Sequence, residues 1–539
     1  MMRIESIQMK QTNSLIADYL NNDEQINDFI DYPTDNLEQR LKDLNDQTFD
    51  RKALTDVLHS MNEQWQAPEQ SLKNISRLQA SDSVVVIGGQ QAGLLTGPLY
   101  TINKIISLIQ YSRQQEEALG VPVIPVFWIA GEDHDFAEIN HVNMLKGTRM
   151  KKIPISQFEE KRIPVGDLTI DQKRANDWLN KLFLTIPETI HTKKLYNELM
   201  DCLQDAKTYV DFFATLIYKL FPTEGLVLIN SHDENLRTIE SDYFQAMIHQ
   251  QEDISVTIYE KRMRLKRLGY PTPVEAEIDD THLFYHLNGE RVLLKRQDSG
   301  RWIGKQDNIN FTTNELMEIA EHQPQLLSNN VMTRPIMQEF LFPTLAFVGG
   351  HAEISYWMLL RETFHLFNKK LPPLVPRLSY TFIDRKLEKI LTAYNLSAEY
   401  VINYGVHRDK MNYLSASQQP AVEQMFKQLN ETIQYVHQPV REAAYQLRAD
   451  VGQFSDRNLF HLQTTVNQLK HRMKQAIEEN YEQTINDFDL LQGWLQPENH
   501  LQERMWNILP FINEHGLSFI KALINEPCSF KENHFVVYL

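Results

Sequence analysis

Residues 84–104 read VVVIGGQQAGLLTGPLYTINK. Val84–Ile87 is an unbroken apolar run, the pattern of a strand buried on both faces. Gly88 and Gly89 end it, Gly93 and Gly97 follow, and after Pro98 a helical periodicity begins with Ile102, Ile105, Ile106 and Ile109. Strand, glycine-rich turn and helix in that order are the opening of a doubly wound α/β fold. Glycines let a ligand approach the backbone, and the unpaired N–H groups of a helix start attract anions. The glycine spacing is neither G-x-G-x-x-G nor a phosphate-binding loop ending in Gly-Lys-Ser/Thr. Gln91, Gly93, Thr96, Gly97, Tyr100 and Lys104 are more polar and small groups than a plain turn requires, so they are candidate ligand contacts.

The same alternation continues downstream. VIPVFWI (123–129) reads as a second strand and LVLIN (226–230) as a third, with helices near 100–115 and 234–249. Strands alternating with helices imply parallel βαβ units. The segments 145–222 and 265–325 are too long for plain crossovers and read as inserts. The second contains Asn288-Gly289 between β-rich runs, a strong hairpin signal, with a further strand expected at Arg301-Trp302-Ile303. Residues 1–80 read as a polar, helical lead-in, and the terminal HFVVYL as a strand returning to the core.

Ligands of open α/β sheets bind beyond the carboxyl ends of the strands. The second strand leads into Gly131-Glu132-Asp133-His134-Asp135, then Glu138, Asn140 and His141; the third ends in Asn230, Ser231, His232 and Asp233. Asp133, His134 and Asp135 are the candidate catalytic groups, since clustered carboxylates and an imidazole suit proton transfer. Helix capping explains one carboxylate of such a group, not several in a row. Arg334, Gln338, Gly349, Gly350, Glu353 and Tyr356 form a second glycine turn with polar neighbours and complete the candidate binding set. No spacing of zinc ligands occurs, so no metal is expected. No G-x-S-x-G is present, which weakens a hydrolase reading.

Between Val422 and Val451 the apolar residues step by three and four (Val422, Met425, Leu429, Ile433, Val436, Val440, Ala443, Leu447), and a second seam runs Leu459, Leu462, Val466, Leu469, Met473, Ala476. This predicts an antiparallel coiled-coil hairpin of about 45 Å, turning near Gly452–Ser455 and kinked at Pro439. Such an arm leaves an apolar edge that dimerisation would cover. The expected division is a core over 1–385 with the two inserts, a coiled-coil dimerisation domain over 386–495, and 496–539 returning to the core.

With 539 residues, 42% hydrophobic and 23% charged, the chain is globular, and its formal charge of −17 argues against nucleic acid as the main partner. The opening MMRIESIQMK lacks an apolar signal core, and only Cys202 and Cys528 occur, so a cytoplasmic protein without disulfides or membrane spans is expected.

Four blocks, GQQAGLLTGPLYTINK (89–104), PVFWIAGEDHDFAEINHV (125–142), LINSHDENLR (228–237) and RPIMQEFLFPTLAFVGGHAEISYW (334–357), together with the length and the late coiled coil, resemble the bacillithiol biosynthesis cysteine-adding enzymes over essentially the whole chain. The resemblance implies an α/β, Rossmann-like core similar to class I aminoacyl-tRNA synthetases, with connecting inserts. It implies a ligase that adds cysteine to the amine of glucosaminyl-malate in the final step of the pathway. ATP is the expected source of activation, through a cysteinyl-adenylate. The helix start Tyr100-Thr101-Ile102-Asn103 has no histidine pair of the synthetase kind. That is the best support for the runner-up reading, a non-catalytic nucleotide- or sugar-binding scaffold that presents its coiled coil to a partner; the ligase is the main expectation.

Overall fold

A computed structural model describes residues 2–10, 13–33, 36–157, 161–272, 274–304, 309–417, 421–532 and 534–539. The chain forms two compact units. One comprises residues 1–146, 150–383 and 501–539; the other comprises 147–149 and 384–500.

The first unit is built on a fully parallel five-stranded sheet. Its strands are β1 (Val84–Gln90), β2 (Val123–Ile129), β3 (Val227–Asn230), β4 (Thr344–Gly349) and β5 (Leu374–Pro376), in the spatial order β3-β2-β1-β4-β5. Every residue of β2 and the first five of β1 are buried, as strands covered by helices on both faces require. Helix α1 (Tyr100–Leu119) carries the chain from β1 to β2 and ends at Gly120, whose φ of 68° supplies the left-handed cap. Helix α2 (Arg334–Leu341) leads into β4. The strand order runs outward one way from β1 through β2 to β3 and the other way through β4 to β5. The connections on either side of the β1/β4 boundary therefore diverge and leave a crevice at the switch point, which is where the two glycine turns fall.

The two segments expected as inserts differ in secondary structure. Described residues between β2 and β3 form a two-stranded ribbon (His141–Lys146, Arg149–Pro154) and four helices. Residues 280–329 form an antiparallel five-stranded sheet, with the hairpin at Asn288–Gly289 and a strand at Trp302–Gly304 as the sequence predicts. The lead-in is mainly helical, but Arg3–Ile7 is a strand. It pairs antiparallel with His534–Tyr538, which also runs parallel to Tyr380–Ile383, so the two ends of the chain share one small sheet. The helix expected over 234–249 is broken at Glu240 into two, Glu234–Ile239 and Ser241–His249.

The second unit is helical. Helices α3 (Val422–Leu447) and α4 (Ala449–Asn480) form the expected antiparallel hairpin, with Glu423 bridging to Lys470 and Lys474, Asn430 meeting Asn467, and Tyr445 bonding Asp456. The turn is at Arg448, which is extended (φ −171°, ψ 143°), not at Gly452–Ser455. Gly452 lies inside α4, where a Cβ would strike the Tyr445 ring, so this glycine permits close helix approach and makes no turn. Helix α3 continues through Pro439. Met425, Leu429, Val436, Val440, Leu462 and Leu469 of the two seams remain exposed. Among the described residues no helix is long and apolar enough to cross a membrane.

Candidate active site

A cavity of about 520 Å³ opens at the switch point, walled by the ends of β1, β2 and β4 and by the antiparallel insert. The glycines of β1 are sterically required. A Cβ on Gly88 would run into the backbone oxygen of Val348, and one on Gly89 into that of Trp128. The two glycine turns are tied together by Lys104. Its buried ammonium, on α1, donates to Gly89 O (2.5 Å), Gln90 Oε1 (3.0 Å) and Glu353 Oε2 (2.6 Å). The same Glu353 oxygen accepts the Gly350 N–H at 2.8 Å. All three ammonium hydrogens are thus committed, and a carboxylate already occupies the helix start at Gly350.

The acidic loop after β2 lines the cavity as expected. Asp133 accepts the N–H groups of His134 (2.7 Å) and Asp135 (3.4 Å) on one oxygen and the Gln91 amide (2.7 Å) on the other, while Gln91 also donates to Glu138 at 2.9 Å. Burial pushes the Asp133 carboxyl up, but these bonds and the Arg291 charge outweigh it and hold it below the usual range. Asp135 is exposed at the mouth, 4.0 Å from His134 Nε2. Beneath them Glu132 and Glu240 share the buried guanidinium of Arg237.

Cations face these acids. Arg377 is held bidentate by Glu503 (2.5 and 2.6 Å), whose carboxyl also accepts from Asn103. Arg334, half-buried at the start of α2, makes a single side-chain bond, to the Tyr356 hydroxyl at 3.1 Å; among the described residues no carboxylate lies within 4 Å of it, and Glu132 and Glu353 act on its charge from farther away. Arg504 lines the cavity from the C-terminal segment. Asn329, buried beside them, leaves both side-chain polar atoms without a partner. No group of His, Cys, Asp and Glu among the described residues is arranged to hold a metal.

Of the candidate residues, Gln91, Tyr100, Asp133, His134, Asp135, Arg334, Gly350, Glu353 and Tyr356 line the cavity, and Lys104 and Gly349 support it. The others lie elsewhere. Thr96 (φ 74°) and Gly97 (φ 70°) are in a loop fastened by the Asn507 amide to Leu95 O and Gly97 O, and Gly93 starts that loop. Asn140 and His141 bond each other at the start of the ribbon. Asn230 accepts the His232 N–H, His232 pairs with Asp167 and stacks on His286, and Asp233 caps the helix Glu234–Ile239. Gln338 is buried with its side-chain oxygen unpartnered, outside the lining.

Three lining residues come from the insert and were not anticipated: Phe284, Arg291 and Asn329. The hairpin was legible, and Arg291 follows its turn by two residues. Nothing in the local pattern shows that this arginine crosses to the acidic loop.

The family model described as "Bacillithiol biosynthesis BshC, N-terminal Rossmann-like domain" matches residues 2–378, and that described as "Bacillithiol biosynthesis BshC, C-terminal coiled-coil domain" matches 380–539. A protein of Oceanobacillus iheyensis named "Putative cysteine ligase BshC" is 38% identical over the whole of both chains. Proteins of the same name are 36% identical in Bacillus cytotoxicus, over 97% of this chain and 98% of the relative, and 35% identical in Bacillus cereus over the full length of both. With this Rossmann-like core, this coiled coil and these full-length relatives, the chain belongs to the bacillithiol biosynthesis BshC family.

Proposed function

We infer that this chain is a cysteine ligase that joins the cysteine carboxyl to the glucosamine amine of glucosaminyl-malate, the last step of bacillithiol assembly. The observation that carries the assignment to the crevice is Arg334. Its half-buried guanidinium keeps a face open to the cavity, because among the described residues no carboxylate lies within 4 Å and Glu132 and Glu353 act on it only from farther away, so a ligand anion can pair with it directly. It would take a malyl carboxylate, and the unpartnered Asn329 amide beside it would meet a hydroxyl.

Amide formation from a free carboxylate is uphill in water, so the cysteine acyl group must arrive activated. ATP is the proposed source, and Arg504 is the lining cation that would face its phosphates. In the step itself the amine lone pair attacks the acyl carbon, the C–N bond forms, and the group on that carbon leaves with its electron pair. The amine then gives up a proton, for which the exposed Asp135 carboxylate at the cavity mouth is placed. Low-pKa Asp133 suits the other task, holding an ammonium before reaction.

The exposed seams of α3 and α4 support homodimerisation through the hairpin, because twofold pairing covers a self-complementary apolar edge. Two buried, unbridged cysteines agree with the reducing cytoplasm as the place of reaction. The reading is tested by thiol profiling of a deletion strain. Loss of bacillithiol with accumulation of glucosaminyl-malate is expected, and unchanged bacillithiol in a strain with no second such gene would refute it.

A further inference from the structure

The acidic loop and the antiparallel insert meet at one contact. Arg291 Nη1 lies 3.5 Å from His134 Nδ1. Arg291 is a buried residue fixed on every side. Its Nε donates to Ser328 Oγ at 3.1 Å, its Nη2 donates to Asn329 O, and its guanidinium stacks on the Phe284 ring, 3.8 Å from the centroid. Among the described residues no carboxylate lies within 4 Å of it, so its charge is directed at whatever it faces.

A guanidinium has only donors and keeps its charge in proteins. The imidazole nitrogen it faces must therefore offer a lone pair. A proton on Nδ1 would set N–H against N–H and cation against cation. The other nitrogen, Nε2, then carries the hydrogen and is the one left for the cavity. We propose that Arg291 is a positioning residue that locks His134 as the neutral Nε2–H tautomer, so that His134 serves as a hydrogen-bond donor to a ligand oxygen and not as a base.

The other groups around the ring do not reverse this. Asp133 and Asp135 on its own loop favour a charged ring, but Asp133 is engaged by three donors and Asp135 is exposed, 4.0 Å from Nε2. From the insert side come Arg291, the edge of Phe284 and neutral His286, and from the loop before it Arg162 adds positive charge. Burial and the Arg291 charge together hold His134 below the ordinary histidine range. A fixed neutral imidazole N–H lining the cavity is suited to the oxygen of an acyl group, where negative charge develops as the amine attacks. That last role rests on the ligase reading. The tautomer does not.

The test has two arms. Protein labelled with ¹⁵N-histidine is titrated by NMR from pH 5 to 8, with the His134 signals assigned by their loss in His134→Gln. Expected are a protonated Nε2, an unprotonated Nδ1 and no titration across the range. In Arg291→Met the same ring should lose its exclusive Nε2–H form and titrate at a higher pH than in wild type, with burial still holding it below the ordinary histidine range, and in Arg291→Lys it should stay neutral. A wild-type His134 that carries its proton on Nδ1, or that titrates between pH 6 and 7, overturns the proposal, and the wild-type titration decides this even if Arg291→Met fails to fold. The second arm compares turnover. His134→Gln, which keeps a donor near the Nε2 position, should retain at least about a tenth of the rate, whereas His134→Ala should lose roughly a hundredfold or more. Equal losses would remove the donor role while leaving the tautomer result intact.

Discussion

Replacing Lys104 by Met isolates the tie between the two glycine turns. The substitution keeps the length of the chain through the buried stem of α1 and removes three donated bonds, to Gly89 O, Gln90 Oε1 and Glu353 Oε2. Breaking a fully buried ion pair costs roughly 3–5 kcal/mol, most of it from the charge left behind. Glu353 retains 24% side-chain exposure and the Gly350 N–H, so water relieves part of that, and about 3 kcal/mol is expected. The first unit has about 420 residues. At about 2.1 cal/mol/K per residue its unfolding entropy makes 3 kcal/mol equivalent to a fall of roughly 3 °C in Tm. Glu353→Gln removes the orphaned charge, so the double variant should be more stable than the sum of the single effects by about 1.5 kcal/mol or more. Calorimetry on the four proteins of the cycle measures this. A Lys104→Met transition within 0.5 °C of wild type, or additivity within about 0.5 kcal/mol, would show that the staple reading is wrong and that Lys104 is a free cation.

Gly89→Ala should abolish the folded core, because its Cβ meets the Trp128 backbone, whereas Gly97→Ala, with only ordinary contacts to Gly93 and Thr101 and a φ of 70° to oppose it, should cost about 1–3 kcal/mol; circular-dichroism melts separate the two. His282 and His534 are held down to about 4 by burial, below the ordinary 6.5. The fold therefore favours their neutral forms, and the stability this contributes is present above pH 6.5 and lost as pH falls from 6.5 to 4. At about 1.4 kcal/mol per unit each costs the fold roughly 3 kcal/mol by pH 4; a Tm that stays flat from pH 7 to 4.5 would contradict it, and His534→Gln should flatten the slope. Leu462→Glu with Leu469→Glu should convert a dimer to a monomer in light scattering at micromolar concentration, and a monomeric wild type would reduce the hairpin to a brace.

The sequence made the β1–α1–β2 unit legible because apolar runs of buried parallel strands are continuous and glycines mark the turn that the ligand side requires. It did not make β4 and β5 legible. β4 is a short run, LAFVG, between two helices, and β5 is spelled LVP amid three prolines, which signal a loop. An edge strand tolerates proline because one side of its ladder is unpaired, and β5 is at the sheet edge. The acidic loop was placed correctly since its position follows from strand polarity. The residues after β3 obey the same positional rule yet turn away into capping and into the His232–Asp167 pair, which only packing decides. Arg291, Asn329 and Glu503 reach the site from distant segments, and no local periodicity records where an insert folds back. Gly452 resembled a turn in the sequence because a glycine needed for close helix packing and one needed for chain reversal look the same until the partner side chain, here Tyr445, is known.

The central claim is that the crevice at the β1/β4 switch point forms the amide. It is tested most directly by incubating purified protein with cysteine, glucosaminyl-malate and ATP, and by measuring by mass spectrometry the product whose mass is the sum of the two substrates less water. Wild type is expected to form it. Arg334→Met, melting within a few degrees of wild type, should have kcat/KM lowered by roughly a hundredfold, as loss of a charged contact worth about 2–3 kcal/mol implies. Wild-type turnover by Arg334→Met, or no amide from the wild-type protein with all three components present, would contradict the account.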